Sequence, residues 1–253
     1  MQAVMSLFPS WDTVLGAAPI DWCEANYVEE GSRLAEYNNT ITNLAYLVAA
    51  SALVTKGSTI RLPPFGRIVF LFFVCSLFLT GVTSGIFHAT LIWAAQKADE
   101  IFENWTVLTL FHSTYLSNDS SGSVSLKDLF YSRIVPHACA VALGIWCIPV
   151  LFCELHLVFI CFATVYRFGF CTTGLDLTNS TEQRAALFKT AAYALLGFAG
   201  WLCDMFACST FSGFYLHAYA WHILTAMALH EAGRMLLWCL EAAAPQKAIK
   251  KTE

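Results

Sequence analysis

Charge is what this sequence has least of. Lys, Arg, Asp and Glu together make up 13% of its 253 residues, about half of the quarter or so that wets the surface of a soluble domain. A chain so poor in charge is not solvated mainly by water; with 57% hydrophobic residues and a mean hydropathy of +0.58 it reads as a protein solvated by lipid. The net charge of −4 is small and spread along the chain, so no nucleic-acid partner is expected. The ten cysteines contain no C-x-x-C pair, which argues against a zinc ribbon or a thioredoxin-type motif. Cys75, Cys139, Cys147 and Cys161 instead fall in apolar stretches, where a thiol serves as a small hydrophobe. No basic segment followed by an apolar core stands at the start, so no cleaved signal peptide is expected. Repeats of solenoid or transporter type are absent from the sequence as well.

Long apolar runs are what it has in abundance. Stretches near 37–55, 65–88, 98–116, 132–152, 155–170, 185–206 and 214–240 approach the length of about 20 residues that carries a helix across a hydrocarbon core. The fourth and fifth are one run broken only at Cys153-Glu154-Leu155-His156, and Pro63-Pro64 and the polar run 117–125 mark loops. The spacing predicts an all-α polytopic membrane protein with seven transmembrane helices spanning 37–240, an N-terminal segment 1–36 and a tail 241–253. Seven spans put the termini on opposite sides. Twelve of the 14 Lys and Arg residues then share one side, leaving only Arg33 and Lys97 on the other. That bias places the N-terminus in the lumen or outside and the C-terminus in the cytosol. The terminal Lys250-Lys251-Thr252-Glu253 looks like a dilysine retrieval signal read by coat proteins, implying the endoplasmic reticulum and Golgi; a basic tail binding anionic lipid is the plainer alternative.

Ionisable groups inside a bilayer cost on the order of 3 kcal/mol or more each, so those within the spans need a reason. Ser84 and His88 are four residues apart at the outer end of the second span, stacked on one helical face. Asp99-Glu100 open the third span, and His217 and His222 open the seventh, all near the same extracytosolic level. Three imidazoles suffice to hold Zn²⁺ with a position left for water, and a hydroxyl and a carboxylate beside them could stabilise an oxyanion and shuttle a proton. Singly, each has a plainer explanation. A helix serine bonds back to the preceding turn, Asp99 and Glu100 suit a solvated helix N-terminus, and a lone helix histidine is more often a hydrogen-bonded packing residue than a ligand. The packing explanation is the one taken here for His112, His137, His156 and His230, which lie elsewhere or lack evident partners.

At these residues the sequence resembles the alkaline ceramidase family, seven-helix membrane zinc hydrolases. Asp21-Trp22-Cys23-Glu24-Ala25-Asn26-Tyr27 with Ala35-Glu36-Tyr37-Asn38-Asn39 carries the first block, Ser84, Phe87-His88 and Asp99-Glu100 the second, and His217 through Trp221-His222-Ile223-Leu224-Thr225 the third. The resemblance implies that His88, His217 and His222 bind zinc, that Ser84 stabilises the oxyanion, and that Asp99 is general acid/base in water attack on the amide of ceramide drawn from the bilayer. It also implies a Ca²⁺ site on Asp21, Trp22 (through its carbonyl), Glu24, Asn26 and Glu36, and a Cys23–Cys208 disulfide, with Cys203 an alternative partner.

One departure bears on the zinc site. In the family the last two histidines stand four residues apart, whereas His217 and His222 are five apart, which on a regular helix turns them about 140° from one another. Either His217 precedes the regular helix or a π-bulge absorbs the extra residue. The segment between Asn26 and Glu36 is also one residue longer than expected, making Glu36 the ligand least tied to the pattern. Other functions compatible with the sequence are a hydrolase of another lipid amide or ester, and a seven-helix lipid receptor with a structural metal.

Overall fold

The structure, a computed structural model, describes residues 11–20, 22–28, 33–116, 125–147, 151–172 and 175–243. Asp21, the glycosylation sequon Asn118-Asp119-Ser120 in the polar run, and the tail carrying Lys247, Lys250 and Lys251 lie outside these residues. Helices follow in the order α1 (Trp11–Val14), α2 (Tyr37–Thr42), α3 (Leu44–Ser58), α4 (Pro64–Thr90), α5 (Trp93–Ser113), α6 (Leu126–Asp128), α7 (Val135–Cys147), α8 (Leu151–Phe170), α9 (Thr181–Phe206), α10 (Cys208–Phe211) and α11 (Ile223–Ala242). A π turn, Leu129–Ile134, joins α6 to α7, and a second, His217–His222, runs directly into α11. Among the described residues there is no strand, only an isolated antiparallel bridge between Ala17 and Ile92.

Local chemistry sets the ends of these rods. Pro64 begins α4, where a missing N–H costs nothing. Ser180 accepts a hydrogen bond from the Gln183 amide and caps α9. In the turn before it, hydrogen bonds from the backbone of Asn179, then from the side chains of Thr178 and Asn179, hold the Asp176 carboxyl below the usual carboxylate range. The α4–α5 corner turns at Leu91 in the left-handed conformation (φ 51°). It is held by the N-terminal segment, since Ala18 N–H donates to Leu91 O at 2.8 Å and Trp93 N–H to Gly16 O at 2.9 Å.

Among the described residues, four helices are long and apolar enough to cross a membrane: Pro64–Thr90, Leu126–Cys147, Thr181–Phe206 and His217–Ala242. The others fall short for identifiable reasons. The first span is divided at Asn43 into α2 and α3, α5 carries Lys97, Asp99, Glu100 and Glu103, and the apolar stretch of α8, Leu155–Phe170, is short. The helices pack in a closed ring, α3 on α4, α4 on α5, α5 on α7 and α8, α8 on α9, α9 on α11, and α11 back on α3. Tyr46, Leu53, Phe73, Leu77, Leu108 and Met235 fill its centre. Outward the pattern of a soluble protein is inverted: Phe159, Phe170 and Phe188 are 72%, 81% and 74% exposed, while Asn104, Thr106, Thr109 and Ser113 of α5 are buried. An apolar exterior around a polar seam is the arrangement a lipid solvent favours.

Candidate metal centre

The site forms where the α4–α5 corner meets the second π turn. Ser84 and His88, one turn apart on α4, are both buried. The reversal at Leu91 returns the chain so that Asp99 of α5 lies beside them, and the Ser84 hydroxyl bonds its carboxylate. The five-residue histidine spacing is resolved by the second of the two explanations. A π turn closes through i→i+5 hydrogen bonds, which bring a fifth residue back toward the face of the first. His217 and His222 accordingly both face His88, with ring centroids 5.2 and 4.9 Å from it and 4.7 Å from each other. One nitrogen of each ring lies within 4.8 Å of the other two. Gly200 of α9 lets the π turn approach, because a Cβ there would stand 2.4 Å from Ala220 Cβ.

Each ring is oriented from behind. Nδ1 of His88 forms a short hydrogen bond to Glu36 Oε2, and the Glu36 amide donates to the His88 carbonyl at 3.0 Å. Nδ1 of His222 meets Thr42 Oγ1 at 2.9 Å. The His217 ring stacks on Trp22 at 3.7 Å and 24°, and its backbone N–H donates to Asp204 Oδ1 at 3.3 Å. What remains at the centre is a set of buried polar atoms that no protein group satisfies: Nδ1 of His217, Nε2 of His222 and Oδ1 of Asp99. Buried lone pairs left bare are costly, and three imidazoles with free nitrogens turned together can hold a divalent metal in an open site.

The N-terminal segment covers this centre. Cys23 and Cys208 are joined in a disulfide, with Cα atoms 5.4 Å apart, and Cys203 is free. The Cys23 amide donates to Asp204 Oδ2 at 3.0 Å, so one aspartate ties the segment to the His217 backbone. Glu24 is buried and caps α2, accepting from the Asn38 and Asn39 amides at 2.6 and 2.7 Å. Glu36 accepts from the Trp22 amide at 3.3 Å and from Asn39 Nδ2 at 3.1 Å. Asn26 stands on an exposed turn. The Asn38 side chain, in a glycosylation sequon, is occupied by Glu24 and by the Tyr219 hydroxyl.

Several functional contacts were not apparent from sequence. Asp204 and Thr42 belong to no spotted motif, although an aspartate deep in an apolar run is itself a signal. Glu103, one turn beyond Asp99, lines the same cavity as the three histidines. Glu100 is paired with Lys97 Nζ at 2.7 Å and Gln96 Nε2 at 2.6 Å. His112, His137 and His156 are hydrogen-bonded within the bundle, but their partners, which the sequence did not show, are one another across three helices. Sequence spacing could not show this, because the three lie on α5, α7 and α8. His230 lies apart from them, beside Glu231 at 3.9 Å.

Comparison with known proteins matches this sequence to a family. A sequence profile described as Ceramidase matches residues 16–251. The chain is 26% identical over 224 residues to an alkaline ceramidase of Drosophila melanogaster, covering 85% of this chain and 75% of that protein. It is 27% identical over 242 residues to alkaline ceramidase YPC1 of Saccharomyces cerevisiae, covering 83% and 73%. An alkaline ceramidase of Arabidopsis thaliana is 24% identical over 227 residues, covering 87% and 83%. With the profile extending over nearly its whole length, from ahead of Trp22 to beyond α11, this chain belongs to the ceramidase family.

Proposed function

We propose that this chain is a zinc-dependent amidohydrolase that cleaves ceramide into a sphingoid base and a free fatty acid. The observation that carries the reading is the convergence of His88, His217 and His222, with Nδ1 of His217 and Nε2 of His222 buried and bare, on the Ser84–Asp99 pair in one cavity. The relatives' shared name, alkaline ceramidase, supplies the substrate class. Two apolar cavities share Leu157 and Trp221 with the histidine cavity, and they supply an apolar path along which the tails of a lipid could lie with its amide at the histidines.

Zinc held by the three imidazoles would acidify a water and polarise the amide carbonyl. Asp99 takes a proton from the attacking water and delivers it to the nitrogen as the C–N bond breaks and the C–O bond forms. The Ser84 hydroxyl, one turn before His88, donates to the carbonyl oxygen as charge gathers there. Glu36 and Thr42 fix the rings of His88 and His222, and Trp22 stacks against His217 to keep water out. Around this chemistry seven helices span the bilayer, with the N-terminus lumenal and the tail cytosolic; the dilysine tail suits residence in the endoplasmic reticulum.

Calcium belongs to the same proposal. Glu24 and Glu36 are buried carboxylates within the electrostatic field of Asp204, and among the described residues no Lys or Arg pairs with Glu24. Asn39 Oδ1 beside them is buried without a partner. Such a set of hard oxygens suits Ca²⁺, with Asp21, the Trp22 carbonyl and Asn26 as the further ligands. Glu36 then serves both metals, since one carboxylate oxygen also orients His88. A Glu36→Gln variant is expected to lose about 10–100-fold in zinc affinity or activity, with added Ca²⁺ failing to restore it. Full recovery with excess Ca²⁺ would confine Glu36 to the calcium site.

Metal analysis of the purified protein, coupled to a ceramide hydrolysis assay, tests the reading. One zinc per chain with release of sphingoid base is the expected result. Zinc without turnover of any ceramide would point to a lipid receptor with a structural metal, and absence of zinc would refute the site.

A further inference from the structure

Of the two apolar cavities beside the histidines, only the first is lined by a carboxylate among the described residues, that of Glu103. The hydroxyls that reach the same wall have each given their hydrogen away. Thr80, Thr164 and Thr190 donate to the carbonyls of Ser76, Ile160 and Ala186, one turn back in their own helices. Thr225 donates to the Trp221 carbonyl, which leaves Tyr46 as the donor in its 2.6 Å contact with Thr225 Oγ1. These hydroxyls have no hydrogen left for a lipid. An ionised carboxylate, by contrast, offers about four lone pairs to a donor.

Glu103 stands where this cavity meets the reaction site. It follows Asp99 by one turn of α5, a rise of about 6 Å, and lies within electrostatic reach of that carboxylate. With Leu157 and Trp221 it lines the histidine cavity and the first apolar cavity alike. A carboxylate pressed against bare hydrocarbon loses water, at a cost in free energy unless a hydrogen bond replaces it. The second apolar cavity sets no such condition and suits a plain alkyl chain. The two chains of a ceramide differ in the same way. Its acyl chain is hydrocarbon beyond the amide carbonyl, whereas its long-chain base carries a hydroxyl at C3, the carbon next but one to the amide nitrogen.

We propose that Glu103 recognises the long-chain base, accepting a hydrogen bond from its C3 hydroxyl and so directing that chain into the first apolar cavity and the acyl chain into the second. The inference rests on the hydrolase reading of the histidine site and names what that site selects. With the base fixed at Glu103, the amide nitrogen is held one helical turn away, before Asp99. A lipid without the hydroxyl brings no donor and leaves the Glu103 carboxylate desolvated. That is how a site built for a hydroxyl rejects an analogue lacking it.

Dihydroceramide and its 3-ketone differ only at this carbon, a donor in one and an acceptor in the other. The ratio of their kcat/KM values in the full-length protein is the test. Wild type is expected to favour the alcohol about 10–100-fold. Glu103→Gln, whose amide accepts from the alcohol and donates to the ketone, is expected to lower that ratio about tenfold or more. A structural role for Glu103, or an effect through Asp99, would slow both lipids alike and leave the ratio where it was. An unchanged ratio would therefore overturn the assignment. So would equal handling of the two lipids by wild type, which decides the matter even if the variant fails to fold. Should wild type cleave neither lipid, the hydrolase reading fails on its own, and recognition is read instead from the rise in unfolding temperature that each lipid gives. The alcohol should stabilise wild type more than the ketone does, and Glu103→Gln should erase the difference. Equal stabilisation of wild type by both would overturn the proposal.

Discussion

Replacing Asp99 with Asn is expected to lower kcat by about 10²–10⁴-fold, the range typical of losing a positioned general acid/base, while the zinc content and KM stay near wild type. Asn is the same size as Asp and can still meet the Ser84 hydroxyl, so the contact between α4 and α5 survives. It cannot take a proton from water or deliver one to the departing nitrogen. The free Oδ1 of Asp99 faces a buried cavity with no protein partner, which is where a water and a scissile amide would meet it. The separation of kcat from metal content is the informative part. A variant turning over at close to the wild-type rate would remove Asp99 from the reaction, and one that lost zinc as well would make it part of the metal's surroundings.

Replacing His217 with Ala is expected to abolish both zinc binding and ceramide hydrolysis. Two imidazoles, His88 and His222, would remain where an open catalytic zinc site uses three protein ligands. The substitution also removes the ring on which Trp22 stacks at 3.7 Å, so the cover over the cavity loosens. Loss of activity alone would therefore not separate ligation from packing. The discriminating measurement is thermal unfolding with and without added zinc, since a metal that binds only the folded state raises its stability. Wild type should be stabilised by zinc and His217→Ala should not. Retained stabilisation would place the third ligand elsewhere.

How far the sequence shows these residues depends on whether their relations run along one helix or between helices. Ser84 and His88 are legible because their spacing is a property of one helix turn. The five-residue interval between His217 and His222 signals a conflict with a regular helix, but two local conformations satisfy it. Packing selects the π turn: Gly200 of α9 allows Ala220 to approach, and Thr42, from the first span, receives His222. Glu36 shows the limit most clearly. The family resemblance implies a calcium ligand there, and only the pairing of Ala35 and Glu36 with the α4–α5 corner reveals that its carboxylate reaches His88. Asp204 likewise acquires meaning only from the two amides it accepts, from Cys23 and His217, 181 and 13 residues away.

Sequence alone determined that the chain is helical and lipid-solvated, because apolar run length and scarcity of charge are sums over neighbouring residues and need no partner. It also brought three histidines, a serine and an aspartate to one level, because level along a helix follows from counting residues. Tertiary structure decided everything that depends on rotation about a helix axis: which nitrogens face one another, which carboxylate stands behind which ring, and whether a histidine is isolated. His112, His137 and His156, unremarkable along the chain, became a continuous file because three separate helices turn the same way. No run of residues encodes such an angle; it is set by how side chains of distant segments fit together in the bundle.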